Sequence, residues 1–392
     1  MDTAELKARV AERVEARAGA LDELALRIHE RPELAYEERF ASSALADQLT
    51  GEGATVTRGA GGVETAYAAE IGSGAPVVAI LGEYDALPGV GHACGHNLMG
   101  TAANLAFLAL SDITPDLRGR VRVVGCPAEE RGNGKVKLIR AGVFSDVDAA
   151  LMYHPGDRDE LDPLMLAMVT LEIEFIGKAA HAAAEPDQGR NALDAVMLAW
   201  TALSALRLTV RSDSRFHGII TDGGKAANII PDRAAATFMV RSPDNTYLQD
   251  LRRRVLACFE GAAAATGCEL HATWSDVCET VSTNRPLAEA FAANAKSLGR
   301  QMKPRRPGDT HGSTDMGNVT SLVPGIHPFL SITDGPVPGH SIEFAAAART
   351  PQALETMHVA AKALAMTAID VLRDDKLRIR AREAFDGHQQ RR

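Results

Sequence analysis

Apolar and polar positions change rhythm along the chain. In the first part and again near the end, short apolar runs stand between helical stretches. They are Val77–Leu81 (VVAIL), Val121–Cys126 (VRVVGC), Ala149–Tyr153 (AALMY) and Phe329–Thr333 (FLSIT). Each has strand length and carries β-branched or aromatic residues. Met99–Leu110 reads as a buried helix and Lys135–Ala141 as a shorter one. This alternation predicts an α/β fold, with a mixed, largely parallel sheet and helices on both faces.

From Met168 the rhythm becomes strict alternation, with Val169, Leu171, Ile173 and Phe175 on one face of Met168–Gly177. A helix from about Asn191 to Leu208 follows, then strands at Phe216–Thr221 and Ala234–Ser242. A helix over Tyr247–Ala265 and a strand at Glu269–Ser275 complete the segment. The order β-α-β-β-α-β is ferredoxin-like α+β. It predicts an inserted domain at residues 167–276 inside a first domain made of residues 1–166 and 277–392.

Composition agrees with two domains. The chain has 392 residues, 46% apolar and 24% charged, enough apolar material to exclude disorder as its main state. Its 42 Lys+Arg against 51 Asp+Glu leave a net charge of −9, which argues against a nucleic-acid partner. The dense basic runs Arg252–Arg254 and Lys303–Arg306 are too short to change that. No run of 18 apolar residues occurs, so no membrane span is expected. The start, MDTAELKARVAERVEARAG, reads as a charged helix and not as a signal segment. Cys94, Cys126, Cys258, Cys268 and Cys278 are odd in number and form no C-x-x-C pair, which argues against a disulfide framework or a zinc knuckle. The expected location is cytoplasmic.

A polar cluster follows each apolar run, where open α/β sheets bind ligands. In GEYDALPGVGHACGHN (Gly82–Asn97), Cys94 and His96 flank one glycine. A tight loop would aim both inward as transition-metal ligands; the plainer alternative is a buried Cys and a capping His. PAEERG carries Glu129 and Glu130, which alone read as a solvated pair or a helix start. Beside a metal, one can bind the ion while its neighbour handles a proton. YHPGD supplies His154 and GHSIEF supplies His340, each compatible alone with a structural role. Together, Cys94, His96, Glu130, His154 and His340 exceed the needs of one tetrahedral structural ion and suit a two-metal hydrolytic centre. His271, His358 and His388 read as surface residues without polar company, and His29 as structural. His181 reads as a lid or interface residue, while His311, Asp315 and His327 are secondary candidates for a pocket wall.

As a set, the motifs resemble the two-metal amidohydrolases of metallopeptidase family 20. They are LRIHERPELAYEE, YDALPG, HACGH, AEERG, YHPGD, GKAAHAAAEPDQGRNALDA, GGKAANIIPD, GSTDMGNV and GHSIEF, and they cover nearly the whole chain. The nearest branch holds aminobenzoyl-glutamate hydrolases and aminoacylase-like dipeptidases. The resemblance implies a zinc-exopeptidase-like catalytic domain with an inserted lid and dimerisation domain. It implies hydrolysis of the amide of small N-acyl amino acids, dipeptides or aminobenzoyl-glutamate-like conjugates. It further implies one or two divalent metal ions, zinc or manganese first, with cobalt and nickel compatible, and a homodimer or higher homo-oligomer. Cys94, His96, Glu130, His154 and His340 match the metal ligands, and Glu129 the general base that takes a proton from the attacking water. Asp85 and His92 match positions that orient ligands. His217 matches a lid histidine that reaches a partner subunit's site and steadies the oxyanion. Asn228 and Arg241 match positions that grip a substrate carboxylate. Two departures stand out. Asn97 and Met99 occupy positions that are Asp and His in the auxin-conjugate branch, and Glu83 replaces the first-ligand His of the aminoacylase branch. The metal set is therefore expected to be the cysteine-containing one, and substrates do not transfer from either branch. Rival readings are an exopeptidase for longer peptides and a catalytically silent or partner-dependent subunit.

Overall fold

The structure is a computed structural model that describes residues 1–306, 308–309 and 311–390. The chain divides into two compact units, Met1–Leu164 with Val281–Arg392, and Met165–Thr280.

The first unit opens with α1 (Thr3–His29), started by a capping box in which the Asp2 side chain accepts from the Glu5 N–H and Glu5 accepts in return from Asp2. Leu6, Val10, Val14, Leu21, Leu24 and Ile28 form its buried stripe. Next come α2 (Arg39–Gly51), β1 (Val56–Arg58), β2 (Tyr67–Ser73), β3 (Val77–Glu83) and α3 (His96–Ser111). They are followed by β4 (Gly119–Cys126), α4 (Gly134–Arg140), β5 (Ala149–Leu151) and β6 (His154–Gly156).

The chain then builds the second unit from β7 (Ala167–Ile176), α5 (Ala192–Leu206), β8 (Arg215–Asp222), β9 (Arg233–Ser242), α6 (Asn245–Thr266) and β10 (Glu269–Trp274). This is the ferredoxin-like order, and its sheet runs β10-β7-β9-β8 with every pair antiparallel. Val169, Leu171, Ile173 and Phe175 all face the core, against Val196, Leu203, Leu251 and Phe259 of the two helices. The segment Ala192–Thr209 is long and apolar enough to cross a bilayer by length and composition, although Asp194, Thr201, Ser204 and Arg207 interrupt it. Its buried residues, Ala192, Ala195, Val196, Ala199 and Leu203, pack into this core, while Met197 and Leu198 stay exposed.

The chain returns to the first unit with α7 (Arg285–Ser297), α8 (Met316–Leu322), β11 (Gly325–Ile326), β12 (Phe329–Ser331), α9 (Ile342–Ala347), α10 (Pro351–Arg373) and α11 (Asp375–Gln389). Its main sheet has the order β1-β2-β4-β3-β5-β11. β4, β3, β5 and β11 are parallel, and β2 and β1 extend the sheet antiparallel at one edge. β3 is buried at every position, which is why it reads as an unbroken apolar run. α3 is buried almost all round.

Two strand expectations need correction. The run Ala149–Tyr153 stops as a strand at Leu151, and Phe329–Thr333 does not join the main sheet. Gly325–Ile326 takes that place, and Phe329–Ser331 pairs with His154–Gly156 in a separate two-stranded sheet. Pro328 lies between the two pairings and has no N–H to give, so the ladder breaks there and resumes beyond it.

Candidate metal centre and active site

Three strand ends and one loop assemble the site within the first unit. Beyond the end of β3, the chain runs through Asp85 to the Cys94 loop and enters α3 at His96. Gly95 makes that entry with φ 77°, and a Cβ there would lie 2.9 Å from the Pro155 ring. Only glycine allows both the turn and the close approach. The result places Cys94 Sγ 3.4 Å from His154 Nε2.

The structure brings five of the sequence candidates together. One ligand atom each of Cys94, His96 and His154 lies within 4.8 Å of the others, as do those of Cys94, Glu130 and His340. A third group joins Glu83, His96 and Glu129. His340 Nε2 is 3.8 Å from Glu130 Oε2, and the His340 N–H donates to the Ala93 carbonyl at 2.9 Å. His340 has φ 62°, a left-handed conformation uncommon outside glycine.

Hydrogen bonds fix which histidine nitrogen faces inward. His154 Nδ1 lies 2.6 Å from the Pro155 carbonyl, so it holds the proton and leaves the Nε2 lone pair toward Cys94. Burial, then the nearby charge of His96, pushes the His154 pKa down to about 3. His96 Nδ1 meets the Asp85 carbonyl at 3.0 Å and its carboxylate at 3.1 Å. Asp85 Oδ2 accepts the Glu130 N–H at 2.9 Å. Asp85 thus orients the His96 imidazole, the arrangement found behind metal-ligating histidines, and anchors the Glu130 backbone. Burial opposes charge on His96, but Cys94, Asp85 and Glu83 outweigh it and raise its pKa well above normal. The site attracts positive charge.

Glu83 Oε2, His96 Nε2 and Glu130 Oε1 are buried without a hydrogen-bond partner. Orphaned polar atoms of this kind are costly unless something binds them. Thiol, imidazole and carboxylate donors converging on one space fit a divalent metal ion. Burial, followed by the charge of Glu130, holds the Cys94 thiol protonated well above its usual range, so a bound cation is what would make it a thiolate. Burial and the charges of Glu83 and Glu130 raise the Glu129 carboxyl well above the carboxylate range.

The scaffold of the Glu129–Glu130 loop was not singled out from sequence. Glu38 Oε1 accepts the Ala128 N–H at 2.8 Å, and the Tyr36 hydroxyl donates to the Gly132 carbonyl at 2.6 Å. Ala128 and Asn133 both have positive φ, so the loop is held in a strained shape. The LRIHERPELAYEE motif is what holds it.

Other candidates are placed differently. His92 is buried beside His29, with ring centroids 6.0 Å apart, and its nitrogens meet no hydrogen-bond partner among the described residues. It does not orient a ligand candidate as expected. Asp315 pairs with Lys135, and His311 lies 3.3 Å from Glu160. His327 is buried edge-on to His154 at 5.4 Å. His358 is not a lone surface residue: its Nε2 lies 2.6 Å from Asp22 Oδ1. His271, exposed, has Glu269 at 3.2 Å, and His388 is likewise not without a partner. The His358 partner lies far along the chain, out of reach of local pattern, whereas Glu269 is two residues from His271 on β10. His29 Nε2 meets the Ala345 carbonyl at 2.7 Å.

In the second unit, His217 on β8 is directly opposite Met239 on β9, and Arg241 lies two residues further along the same face. Burial and the charge of Arg241 lower the His217 pKa. Arg241 is part-buried, its Nε lacks a partner, and the Met239 sulfur, 3.6 Å away, is the neighbour of its Nη2. No carboxylate pairs with it among the described residues. Asn228 is exposed, and its carbonyl accepts the Ala182 N–H. The His181 ring Nδ1 accepts the Ala183 and Ala184 N–H groups, a local turn.

Known proteins of similar sequence and fold place this geometry in context. The model for peptidase family M20/M25/M40 matches residues 79–368. The chain is similar to the Xaa-Arg dipeptidase of Mus musculus, 40% identical over 386 residues, covering 94% of this chain and 89% of that protein. It is 38% identical over 299 residues to one of the p-aminobenzoyl-glutamate hydrolase chains of Escherichia coli (strain K12), covering 71% of this chain and 62% of that one. Among solved structures, a Bacillus subtilis dinuclear metal binding peptidase from the M20 family shares the fold at a TM-score of 0.71 and 24% identity, covering 91% and 99% of the two chains.

Proposed function

The chain belongs to the peptidase family M20/M25/M40 and is a metal-dependent amidohydrolase for dipeptides or small N-acyl amino acids; from that premise we propose how it works and on what. Cys94, His96, Glu130, His154 and His340 hold one or two divalent ions, zinc or manganese. When bound, the metal polarises the scissile carbonyl and acidifies the attacking water. Glu129 takes that water's proton and returns it to the leaving amine. Asp85 keeps His96 and Glu130 in position through the bonds already described. The observation that carries this reading is the division of labour between adjacent carboxylates. Glu130 keeps an orphaned oxygen in the ligand cluster, while a ligand atom of Glu129 lies within 4.8 Å of those of Glu83 and His96.

The substrate ends in a free carboxylate, which the unpaired guanidinium of Arg241, with Asn228, grips; a bidentate fork suits that task. His217, on the same face as Arg241, reaches the partner subunit's site and steadies the oxyanion there. A dipeptide with a basic C-terminal residue is the first substrate to try, supported by the 40% identity to a Xaa-Arg dipeptidase over 94% of the chain. The protein is a homodimer joined through its second unit. Support comes from β8, an edge strand with Ile219 and Ile220 exposed, and from Met197 and Leu198 of α5. Its setting is the cytoplasm, where its five free thiols stay reduced.

The test is Glu129→Gln. The variant should keep its metal content, and its turnover of Xaa-Arg dipeptides should fall by roughly 10²–10⁴-fold. Wild-type turnover would sink the base assignment. Rates that rise with peptide length would favour an exopeptidase. Metal-loaded protein inert on every dipeptide and N-acyl amino acid would favour a silent or partner-dependent subunit.

A further inference from the structure

The mechanism leaves unused a buried charged trio beside the metal cluster. Lys135, Glu83 and Asp315 have no solvent exposure in their side chains. Lys135 Nζ bonds to Glu83 Oε1 and lies 2.5 Å from Asp315 Oδ1. The Lys135 backbone N–H donates to Asp315 Oδ2 at 2.8 Å, so Asp315 grips both ends of the lysine. Glu83 therefore has one oxygen committed. Its other oxygen, Oε2, has no hydrogen-bond partner and lies 3.3 Å from His96 Nε2, which is equally buried and equally unpartnered.

Asp85 takes His96 Nδ1 with two acceptors, so the ring proton is on that side. The lone pairs of Nε2 and Oε2 then face each other in a dry interior. Two acceptors held that way need positive charge between them, supplied by a second proton or by a metal ion. A ligand atom of Glu129 lies within 4.8 Å of both, completing a group of three donors.

We propose that Glu83 is itself a metal ligand, sharing an ion with His96, and that Lys135, braced by Asp315, is the positioning residue that aims it. The inference rests on the reading that Cys94 and its neighbours bind metal. It adds an oxygen-donor site beside the thiolate site, so the two ions differ in donor softness. Lys135 neutralises the far side of Glu83 without occupying the oxygen that faces His96.

Cobalt titration of the full chain tests this, using Glu83→Gln, Lys135→Met and the double variant. Two readouts are independent: cobalt per chain against a competing chelator, and the near-ultraviolet thiolate-to-cobalt absorption of the Cys94 site. In wild type, two equivalents bind and the thiolate absorption develops. In Glu83→Gln the absorption persists, while one equivalent is lost or weakened at least 100-fold. Lys135→Met weakens the same equivalent by about 10–100-fold, the range for residues that orient a ligand. The double variant is no weaker than Glu83→Gln, because Lys135 acts only through Glu83. A folded Glu83→Gln protein with unchanged stoichiometry and affinity overturns the proposal, and so does one that loses all cobalt together with the thiolate absorption. Should Lys135→Met fail to fold, Asp315→Asn carries the positioning half: full cobalt affinity in that variant refutes it. Wild type that binds cobalt without thiolate absorption strikes the Cys94 assignment alone, and Glu83 is still judged by its own stoichiometry.

Discussion

Glu38 makes the sharpest stability prediction. It is fully buried, and its Oε1 accepts N–H groups from Tyr36 at 2.9 Å and Ala128 at 2.8 Å. Oε2 has no hydrogen-bond partner. Burial, with a contribution from the charge of Asp85, raises its pKa from 4.5 to about 7. A carboxyl with a raised folded pKa binds more protons folded than unfolded between those two values. Its contribution is therefore fully present below about pH 4.5 and is lost as pH rises through about 7. At 1.36 kcal/mol per unit, the loss between pH 5 and pH 8 comes to roughly 2.5 kcal/mol. Glu38→Gln keeps the acceptor that holds Ala128 and replaces the titrating oxygen with an amide. Relative to wild type, the variant should gain roughly that amount of stability between pH 5 and pH 8.

Urea unfolding at a series of pH values measures this difference directly. The probe must report the first unit. Trp200 and Trp274 both lie in the second, so tryptophan fluorescence is the wrong signal. Tyr67, Tyr84 and Tyr153 are buried in the first unit, and their near-ultraviolet circular dichroism is the right one. A stability difference between variant and wild type that does not change with pH would refute the titration of Glu38.

Three further outcomes follow from single contacts. Asp85→Asn places an amide against the Glu130 N–H that its carboxylate now accepts, and metal affinity should fall by about 10–100-fold in calorimetric titration; unchanged affinity would remove Asp85 from its orienting role. Arg241→Ala should raise KM for a dipeptide by at least about tenfold, with Arg241→Lys recovering only part because the planar fork is lost; an unchanged KM would free the carboxylate grip from this residue. Gly82→Ala would put a Cβ 2.7 Å from Gly100 Cα and 2.9 Å from the Met99 carbonyl, forcing α3 off β3. It should cost about 1–3 kcal/mol, and an unshifted melting temperature would show that the contact yields freely.

Legibility followed the range of the interactions. β3 could be read because all its residues are buried, and the second unit because its alternation matches a sheet with one covered face. His358 looked alone because its partner is remote: it finds Asp22 at the other end of the chain. Lys135 shows the same limit within one helix. Lys135 and Lys137 are two residues apart in GKVKLIR, with nothing local to separate them. Yet Lys137 sits exposed with its ammonium 3.7 Å from the centre of the Tyr36 ring, while Lys135 is sealed between two carboxylates far from it in sequence. A charge can be buried only where its counter-charges already are, and those come from β3 and the start of α8.

The spacing Glu83-Tyr84-Asp85 nevertheless carries more of the site than its letters suggest. Glu83 is the last residue of β3, and along extended backbone every second side chain returns to the same side. Glu83 and Asp85 thus point one way and Tyr84 the other, where its hydroxyl donates to the Thr65 carbonyl. His96 arrives from α3 between the two carboxylates. Asp85 meets Nδ1 and Glu83 faces Nε2. A carboxylate on each nitrogen of one imidazole would be redundant if the ring only needed orienting, since Asp85 already fixes it. The second carboxylate makes physical sense if the far nitrogen shares a cation with it, and Lys135 is then required to keep two acids in so small a volume from repelling each other. The motif, the orphaned atoms and the buried lysine are in this sense one device, and only the folded chain shows that its parts meet at His96.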